Sequence, residues 1–368
     1  MSTPRQIAWK KFRTNIPALV GSSYFILVTL ISLFGYVIAP DNTSNANLQI
    51  LELAKKPPGT RAWILAVPMK SAEGNRANYG WWFIGKSQSY QPILLADTAS
   101  LRQDGGRIMY TTISGSEDRI QLADFGLTAE NFNRELFLSQ YVFHRQYFLG
   151  TDTYGRDLLS RIILGGRVSL AIGLMAVLIS LVMGISLGTI AGYFGGWLDK
   201  AIMWLVSVMW AIPTLLLALA VSFVLGKGFW QLFVAIGVSI WVEVARMVRG
   251  QILGVREMQF TEAARALGFG DFRIMFRHIF PNVFSPMIVV AVANFGAAVL
   301  IESGLSFLGI GVEVPVPTWG RMIYEGYTYI VFENGKWLAF FPGMALILLV
   351  VSINLIGIGL RDALDVKL

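Results

Sequence analysis

Six long apolar runs alternate with polar stretches along this chain: Ile16 to Ala39, Val168 to Phe194, Ala201 to Leu225, Phe229 to Met247, Val283 to Ile301 and Leu338 to Leu360. About 20 apolar residues in helical form cross a hydrocarbon core about 30 Å thick. A helix also satisfies its own backbone hydrogen bonds where no water can. The pattern predicts six transmembrane helices in an all-α polytopic membrane protein. Arg5, Lys10, Lys11 and Arg13 precede the first run, as they would in a secretory signal. That run is longer than the apolar core of a signal, about 7 to 15 residues, and reads as a retained span.

The polar stretches orient the spans. Short basic loops stay cytoplasmic, and two segments qualify: the N-terminus, and the loop 248–281 with Arg249, Arg256, Arg265, Arg273 and Arg277. Four spans separate them, an even number, so both sit on one side. N- and C-termini are then cytoplasmic, and residues 41–148 lie outside. The organisation predicted is 1–40, a cytoplasmic N-terminus and first span; 41–148, an extracytoplasmic insert; and 149–368, a core with five spans and the loop 248–281.

Within the insert, residues 62–67, 91–95 and 107–113 are short apolar or β-branched runs separated by turn residues such as Asp104-Gly105-Gly106. They predict strands and a β-rich unit between the first two spans. Gly80-Trp81-Trp82-Phe83-Ile84-Gly85-Lys86-Ser87 fits the spacing of a phosphate-binding loop. Such a loop needs a preceding strand, small residues and a following helix. Here aromatics fill the loop, Ser71 to Asn78 precede it and Pro92 follows, so Trp81 to Ile84 reads instead as a strand.

The loop 248–281 carries a candidate site. Phe260, Ala263, Ala264 and Leu267 share a helical face ended by Gly268. Asp271 is placed to cap a second short helix, with Phe272, Met275, Phe276 and Ile279 as its apolar face and Pro281 as its stop. Two short helices at a glycine corner suit a groove on another protein; an amphipathic pair lying on the membrane surface fits the same pattern. On periodicity alone the two readings stand level.

Other charges invite a role. Asp152, Arg156, Asp157, Arg161 and Arg167 recur at roughly helical spacing, which predicts an amphipathic helix on the outer face, either meeting another extracytoplasmic protein or merely solvated. Glu243 and Arg246 lie three apart near the end of the fourth run, and mutual pairing relieves the cost of charge in a span. Pro213 is expected to kink the third span.

Composition narrows the field. The chain is 55% hydrophobic and 14% charged, against roughly 25% charged in soluble domains. Its net charge of +7 gathers beside the spans rather than on a soluble face, which argues against nucleic acid. The lack of cysteine excludes disulfides and thiolate metal sites. His144 and His278 fall on opposite sides of the predicted membrane without a nucleophile partner, which disfavours a hydrolase.

Glu262-Ala263-Ala264 with Gly268, then Ile279-Phe280-Pro281-Asn282, resembles the EAA loop of binding-protein-dependent ABC importer permeases. Leu149 to Arg161, Gly165 to Leu170, Glu302 to Gly309, Pro315 to Gly320 and Gly359 to Asp365 resemble the C-type subunit of the dipeptide and oligopeptide branch. The likeness is loose over Ile7 to Pro40, close over Phe148 to Leu368 and absent between. His278 and Phe280 depart from the isoleucine and leucine that the family prefers.

The resemblance implies the type I ABC importer permease fold in the cell inner membrane. It also implies a second, B-type permease subunit, two ABC ATPase subunits, an extracytoplasmic substrate-binding protein and surrounding lipid as partners. ATP and Mg would be bound by the ATPase subunits, leaving this chain without cofactor, metal or catalytic residues. Glu262, Ala263, Ala264, Leu267, Gly268, Asp271 and Pro281 would form the ATPase-coupling element. Peptides are the implied substrates, with nickel or a glycoside as alternatives. A secondary transporter or a membrane-anchored receptor fits less well, because the spans hold few ionisable groups and only short loops are predicted inside.

Overall fold

The computed structural model describes residues 4–69, 80–226, 228–331 and 335–364. The stretch Ser71 to Asn78 and the tail 365–368 lie outside the described residues. An N-terminal helix, α1 (Pro4–Thr14), leads into α2 (Ile16–Leu33), which Asn15 caps by accepting from the Ala18 amide at 3.1 Å, and a short α3 (Gly35–Ile38) follows. Next come β1 (Thr60–Pro68), α4 (Trp81–Ile84), β2 (Tyr90–Leu95), β3 (Arg102–Asp104), β4 (Arg107–Thr111), β5 (Glu117–Gln121), α5 (Arg134–Tyr141) and β6 (Val142–Tyr147). The remainder is helical: α6 (Leu158–Phe194), α7 (Gly196–Trp210), α8 (Thr214–Leu225), α9 (Phe229–Arg256), α10 (Gln259–Ala266), α11 (Asp271–Ile274), α12 (Phe280–Phe307), α13 (Trp319–Tyr327) and α14 (Trp337–Leu364).

Among the described residues, five helices are long and apolar enough to cross a membrane, or six if α7 and α8, bent by 95° at Ala211-Ile212-Pro213, count as one span. The packing of α6 on α9 decides how the chain runs between them. A Cβ on Gly237 would lie 2.8 Å from Ala176 O, one on Gly184 2.8 Å from Trp241 O, and one on Gly188 2.5 Å from Ala245 O. The numbers rise together, so α6 and α9 are parallel, held backbone to backbone by small residues. The bent pair α7–α8 must therefore carry the chain back from the end of α6 to the start of α9.

α2 and α14 pack antiparallel, Gly21 against Ser352 and Gly359 against Ala18, and Phe12 joins Ala18 and Ala363 in one apolar cluster. Both described ends of the chain thus lie at the end of the bundle where α6 and α9 finish. The start of α6 lies at the other end, beside α3, where a Cβ on Gly35 would meet Leu164 Cδ2 at 2.7 Å.

The described residues between 60 and 147 build two antiparallel sheets of three strands, β2-β1-β6 and β3-β4-β5, joined by a bridge between Leu95 and Thr112. The runs at 62–67 and 91–95 fall inside β1 and β2, and most of 107–113 inside β4. Leu65, Val67, Leu95, Ile108, Tyr110, Leu122, Phe125 and Phe137 form a core beneath the sheets. Trp81 to Ile84, expected as a strand, is a single helical turn. Gly85 ends it at φ +90°, and the Lys86 backbone is taken by the segment after α3, with Lys86 N donating to Asn42 O at 2.8 Å and Ser44 N donating to Lys86 O at 3.0 Å.

Candidate functional site

At the end of the bundle where α6 and α9 finish, the chain forms an elbow. α10 follows α9 after two residues, with Thr261 Oγ1 donating back to Val255 O at 2.9 Å. Gly268 turns the corner at φ +75°, the left-handed region that glycine enters without penalty. A Cβ there would meet nothing within 4 Å, so the backbone conformation alone calls for glycine.

Beyond the corner the structure corrects two expectations. Gly270, not Asp271, precedes α11 in the capping position; Asp271 is the first helical residue, and its Oδ1 accepts from the Tyr193 hydroxyl at 2.6 Å. Pro281 does not stop the helix. Met275–Ile279 form one π-helical turn leading into α12, and this wide turn lets a continuous helical path run from Asp271 to Phe307 with Pro281 in the first turn of α12.

One side of the elbow is locked to the bundle. Ala264, Ile274, Met275 and Ile279 bury with Tyr193 of α6, Val248 and Ile252 of α9, and Val283 of α12. Arg256 Nη1 donates to Tyr193 O at 3.0 Å, and Arg249 grips Asp199 through two bonds of 2.5 and 2.7 Å. The other side is bare. Glu262, Ala263 and Gly268 are exposed, and so are Phe260, Leu267 (73%), Phe272 (75%) and Phe276 (64%). Phe272, Phe276 and Phe280 stack in a ladder with near-parallel rings, while His278 stacks on Phe269. The expected apolar faces therefore split into a buried edge and an exposed one. An exposed apolar patch of this kind, rimmed by charge, suits contact with another protein or with the membrane surface.

The charges before α6 are arranged differently from the expectation. Thr151 to Asp157 form a tight turn rather than an amphipathic helix, and Asp152, Arg156, Asp157 and Arg161 are all buried. Arg156 reaches Asp152 at 2.6 Å, Asn47 at 3.2 Å and Glu325 of α13 at 3.4 Å, and Arg161 lies 3.3 Å from Asp152. Burial desolvates these ions, so only mutual pairing sustains them. Asp157 caps α6 by accepting from the Ser160 amide at 2.9 Å; burial pushes its carboxyl up, against the pull of the Ser160 hydroxyl and amide. This cluster ties the segment before β1, α6 and α13 together and presents no free face. Arg167 alone is half-buried.

Glu243 and Arg246 do not pair. Glu243 is exposed, and the Arg246 guanidinium lies over the Trp210 ring at 3.8 Å. The aromatic face comes from α7, an element that helical spacing along α9 cannot reveal. The Gly80 to Ser87 stretch is no phosphate cradle either. The amides of Phe83, Ile84 and Gly85 are spent on the carbonyls of Gly80 and Trp81, and Lys86 Nζ lies 4.6 Å above the Trp81 ring. Sequence reasoning missed Glu302, wholly buried in α12 among the hydroxyls of Ser169, Ser303 and Ser306.

A bundle of helices long and apolar enough to cross a membrane thus carries an exposed apolar elbow tied to α6, α9 and α12. Residues 184–368 match the family described as binding-protein-dependent transport system inner membrane component, and residues 3–58 match the N-terminal TM domain of oligopeptide transport permease C. The chain belongs to the former family: it is an ABC importer permease, a component of the inner membrane and not an enzyme.

Its relatives include the dipeptide transport system permease protein DppC of Alkalihalophilus pseudofirmus, 41% identical over 61% of this chain and 73% of the relative. The glutathione transport system permease protein GsiD of Pectobacterium atrosepticum is 41% identical over 60% of this chain and 73% of its own. The di/tripeptide transport system permease protein DppC of Pseudomonas aeruginosa is 43% identical over 61% and 73%. Among solved structures, a chain of the inward-facing MetNI methionine ABC transporter aligns over 56% of this chain and 97% of its own at 19% identity, with a TM-score of 0.46, a likeness too slight to build on.

Proposed function

We propose that this chain forms half of the translocation path of a peptide importer and takes its motion from an ATPase subunit seated on the elbow. The observation that carries the reading is the two-sided elbow: Leu267, Phe272 and Phe276 bare on one side, Ala264, Ile274 and Ile279 buried against α6, α9 and α12 on the other. A partner gripping the bare side moves three helix ends together, which is rigid-body coupling. Glu262, exposed beside this patch, is available to a basic groove residue. ATP and Mg belong to that partner.

In this reading the elbow and both termini are cytoplasmic, and the sheets of residues 60–147 form a β-rich insert on the extracytoplasmic side, where a substrate-binding protein delivers its cargo. A second, B-type permease completes the path, and two ATPase subunits complete the assembly. Peptide is the substrate class that the names of the relatives support.

The test is purification of the assembled transporter, identification of its chains, and ATP-driven uptake of di- and oligopeptides into proteoliposomes. Glu262→Ala combined with Gly268→Leu is expected to leave the complex hydrolysing ATP with little uptake. Undiminished peptide uptake by that double variant would overturn the coupling role.

A further inference from the structure

The helical turn α4 leaves Trp82 (47%), Phe83 (49%) and Ile84 (58%) exposed in a row. Its position along the bundle can be read from two spans independently. The apolar run of α2 and α3 ends at Ala39, and that of α6 begins at Val168, directly after Arg167. Arg167 joins these levels to α4. Its guanidinium stacks on Phe83 at 4.0 Å and on Tyr36 at 5.7 Å, and Nη1 donates to Phe83 O at 2.6 Å.

The residues of α6 before Arg167 extend about 14 Å farther at 1.5 Å per residue, so the two sheets stand clear of the hydrocarbon while α4 hangs back to its edge. The connection is firm. Gly85, at φ +90°, sits so close to Tyr36 and Ser44 that a Cβ would lie 2.7 Å from the Tyr36 ring and 2.8 Å from Ser44 Cα. A groove of about 510 Å³ opens under α4 between Ile84, Leu164, Val168 and Phe229. The exposed row continues onto Phe34 (46%), Val37 (58%) and Ile38 (52%), residues of the α2–α3 apolar run that face away from the protein.

Aromatic side chains with cationic neighbours at the edge of a hydrocarbon slab are characteristic of the headgroup layer, where amphipathic rings settle. Lys86 and Arg167, each lying on an aromatic face, supply the cations. We infer that Trp81–Ile84 is a membrane foot: it rests in the phospholipid headgroup and glycerol layer and fixes the height and tilt of the two sheets over the transport path. The occupant of the surface is lipid, because α4 packs on α3 and its row extends the exposed apolar flank of the first span. The inference holds for either direction of the chain across the membrane and stands apart from the ATPase and peptide assignments.

The chain has no cysteine, so single labels can be placed at will. Trp82→Cys and Ile84→Cys, each carrying a nitroxide, are compared with Ile113→Cys, an exposed position among the sheets, in the assembled transporter in phosphatidylethanolamine–phosphatidylglycerol nanodiscs. Collision with oxygen, which partitions into lipid, is read against collision with a water-soluble nickel chelate. The expected result is a nickel collision rate at 82 and 84 at least fivefold below that at 113, with oxygen collisions retained. Nickel access at 82 and 84 equal to that at 113 would place the turn in water and overturn the inference. Exclusion of both reagents would show a protein partner covering the row and overturn it equally.

Discussion

The Tyr193 hydroxyl, at the C-terminal end of α6, donates at 2.6 Å to the Asp271 carboxylate at the start of α11, a bond spanning 78 positions of sequence. It is a polar tie, beside the Arg256 bond to Tyr193 O, between the elbow and the helix that begins in the buried charge clamp at the opposite end. Tyr193→Phe removes the donor and keeps the ring in its apolar cluster. A lost bond to a charged acceptor costs about 1.5 to 3 kcal/mol, so the expected outcome is several-fold less peptide taken up per ATP hydrolysed, with assembly intact. Asp271→Asn, which keeps an acceptor oxygen, is expected to be milder in the same proteoliposome assay.

Gly268 separates backbone from packing. Its positive φ costs a branched or bulky residue about 1 to 2 kcal/mol, while the space around it is open. Gly268→Asn is expected to couple nearly normally, since asparagine tolerates this region, whereas Gly268→Leu uncouples. Equal uptake by the two variants would show that the corner is not conformationally demanding.

The Phe272–Phe276 ladder offers a more direct test. Truncating an aromatic anchor at an interface costs about 2 kcal/mol or more, roughly thirtyfold in affinity. Phe272→Ser with Phe276→Ser is therefore expected to abolish co-purification of the ATPase while leaving the thermal unfolding of the isolated chain unchanged, because both rings are already exposed. Retention of the ATPase by this variant would move the docking surface elsewhere.

Arg156 is expected to be the costliest single loss at the opposite end. It is wholly buried and holds Asp152, Asn47 and Glu325 together. Breaking a buried ion pair by removing one partner costs about 3 to 5 kcal/mol. Arg156→Met should lower the unfolding midpoint in detergent far more than Arg249→Met, whose pair with Asp199 is partly solvated. Similar midpoints would contradict the clamp.

Tyr147 adds a pH dependence. Burial raises its phenol from 10.0 to about 12, with Arg145 opposing and Asp157, Asp41 and Tyr90 assisting. A group whose pKa is higher in the fold than in the unfolded chain stabilises fully below its unfolded value and loses that contribution as pH rises through its folded one. The stability tied to Tyr147 should therefore fade between pH 10 and about 12. Phenolate absorbance of wild type minus Tyr147→Phe should show this titration late.

The spans were legible because their signal is local: about twenty apolar residues in a row need no knowledge of neighbours. The first turns of α6 were not, since Asp157, Arg161 and Arg167 read as a polar surface. The partners of Arg161 and Arg167, the Pro315 carbonyl and Phe83, arrive from distant segments, as do Asn47 and Glu325 on neighbouring Arg156. Arg246 was misassigned for the same reason, its aromatic partner Trp210 belonging to another helix. In the elbow, the resemblance to the EAA loop is what points to Glu262, Ala263, Ala264 and Gly268. The division into buried Met275 and exposed Phe276 was not legible, because amphipathic periodicity says that a face is apolar, not which of its edges the fold leaves bare.

The glycine seam between α6 and α9 gives the molecule a spine. Two helices in close contact from Ala176 beside Gly237 to Gly192 beside Arg249 resist shear, so a push at one extremity arrives at the other as displacement instead of being absorbed as bending. Among the described residues the sharp break in a span, the 95° corner at Pro213, lies beside this spine and not within it.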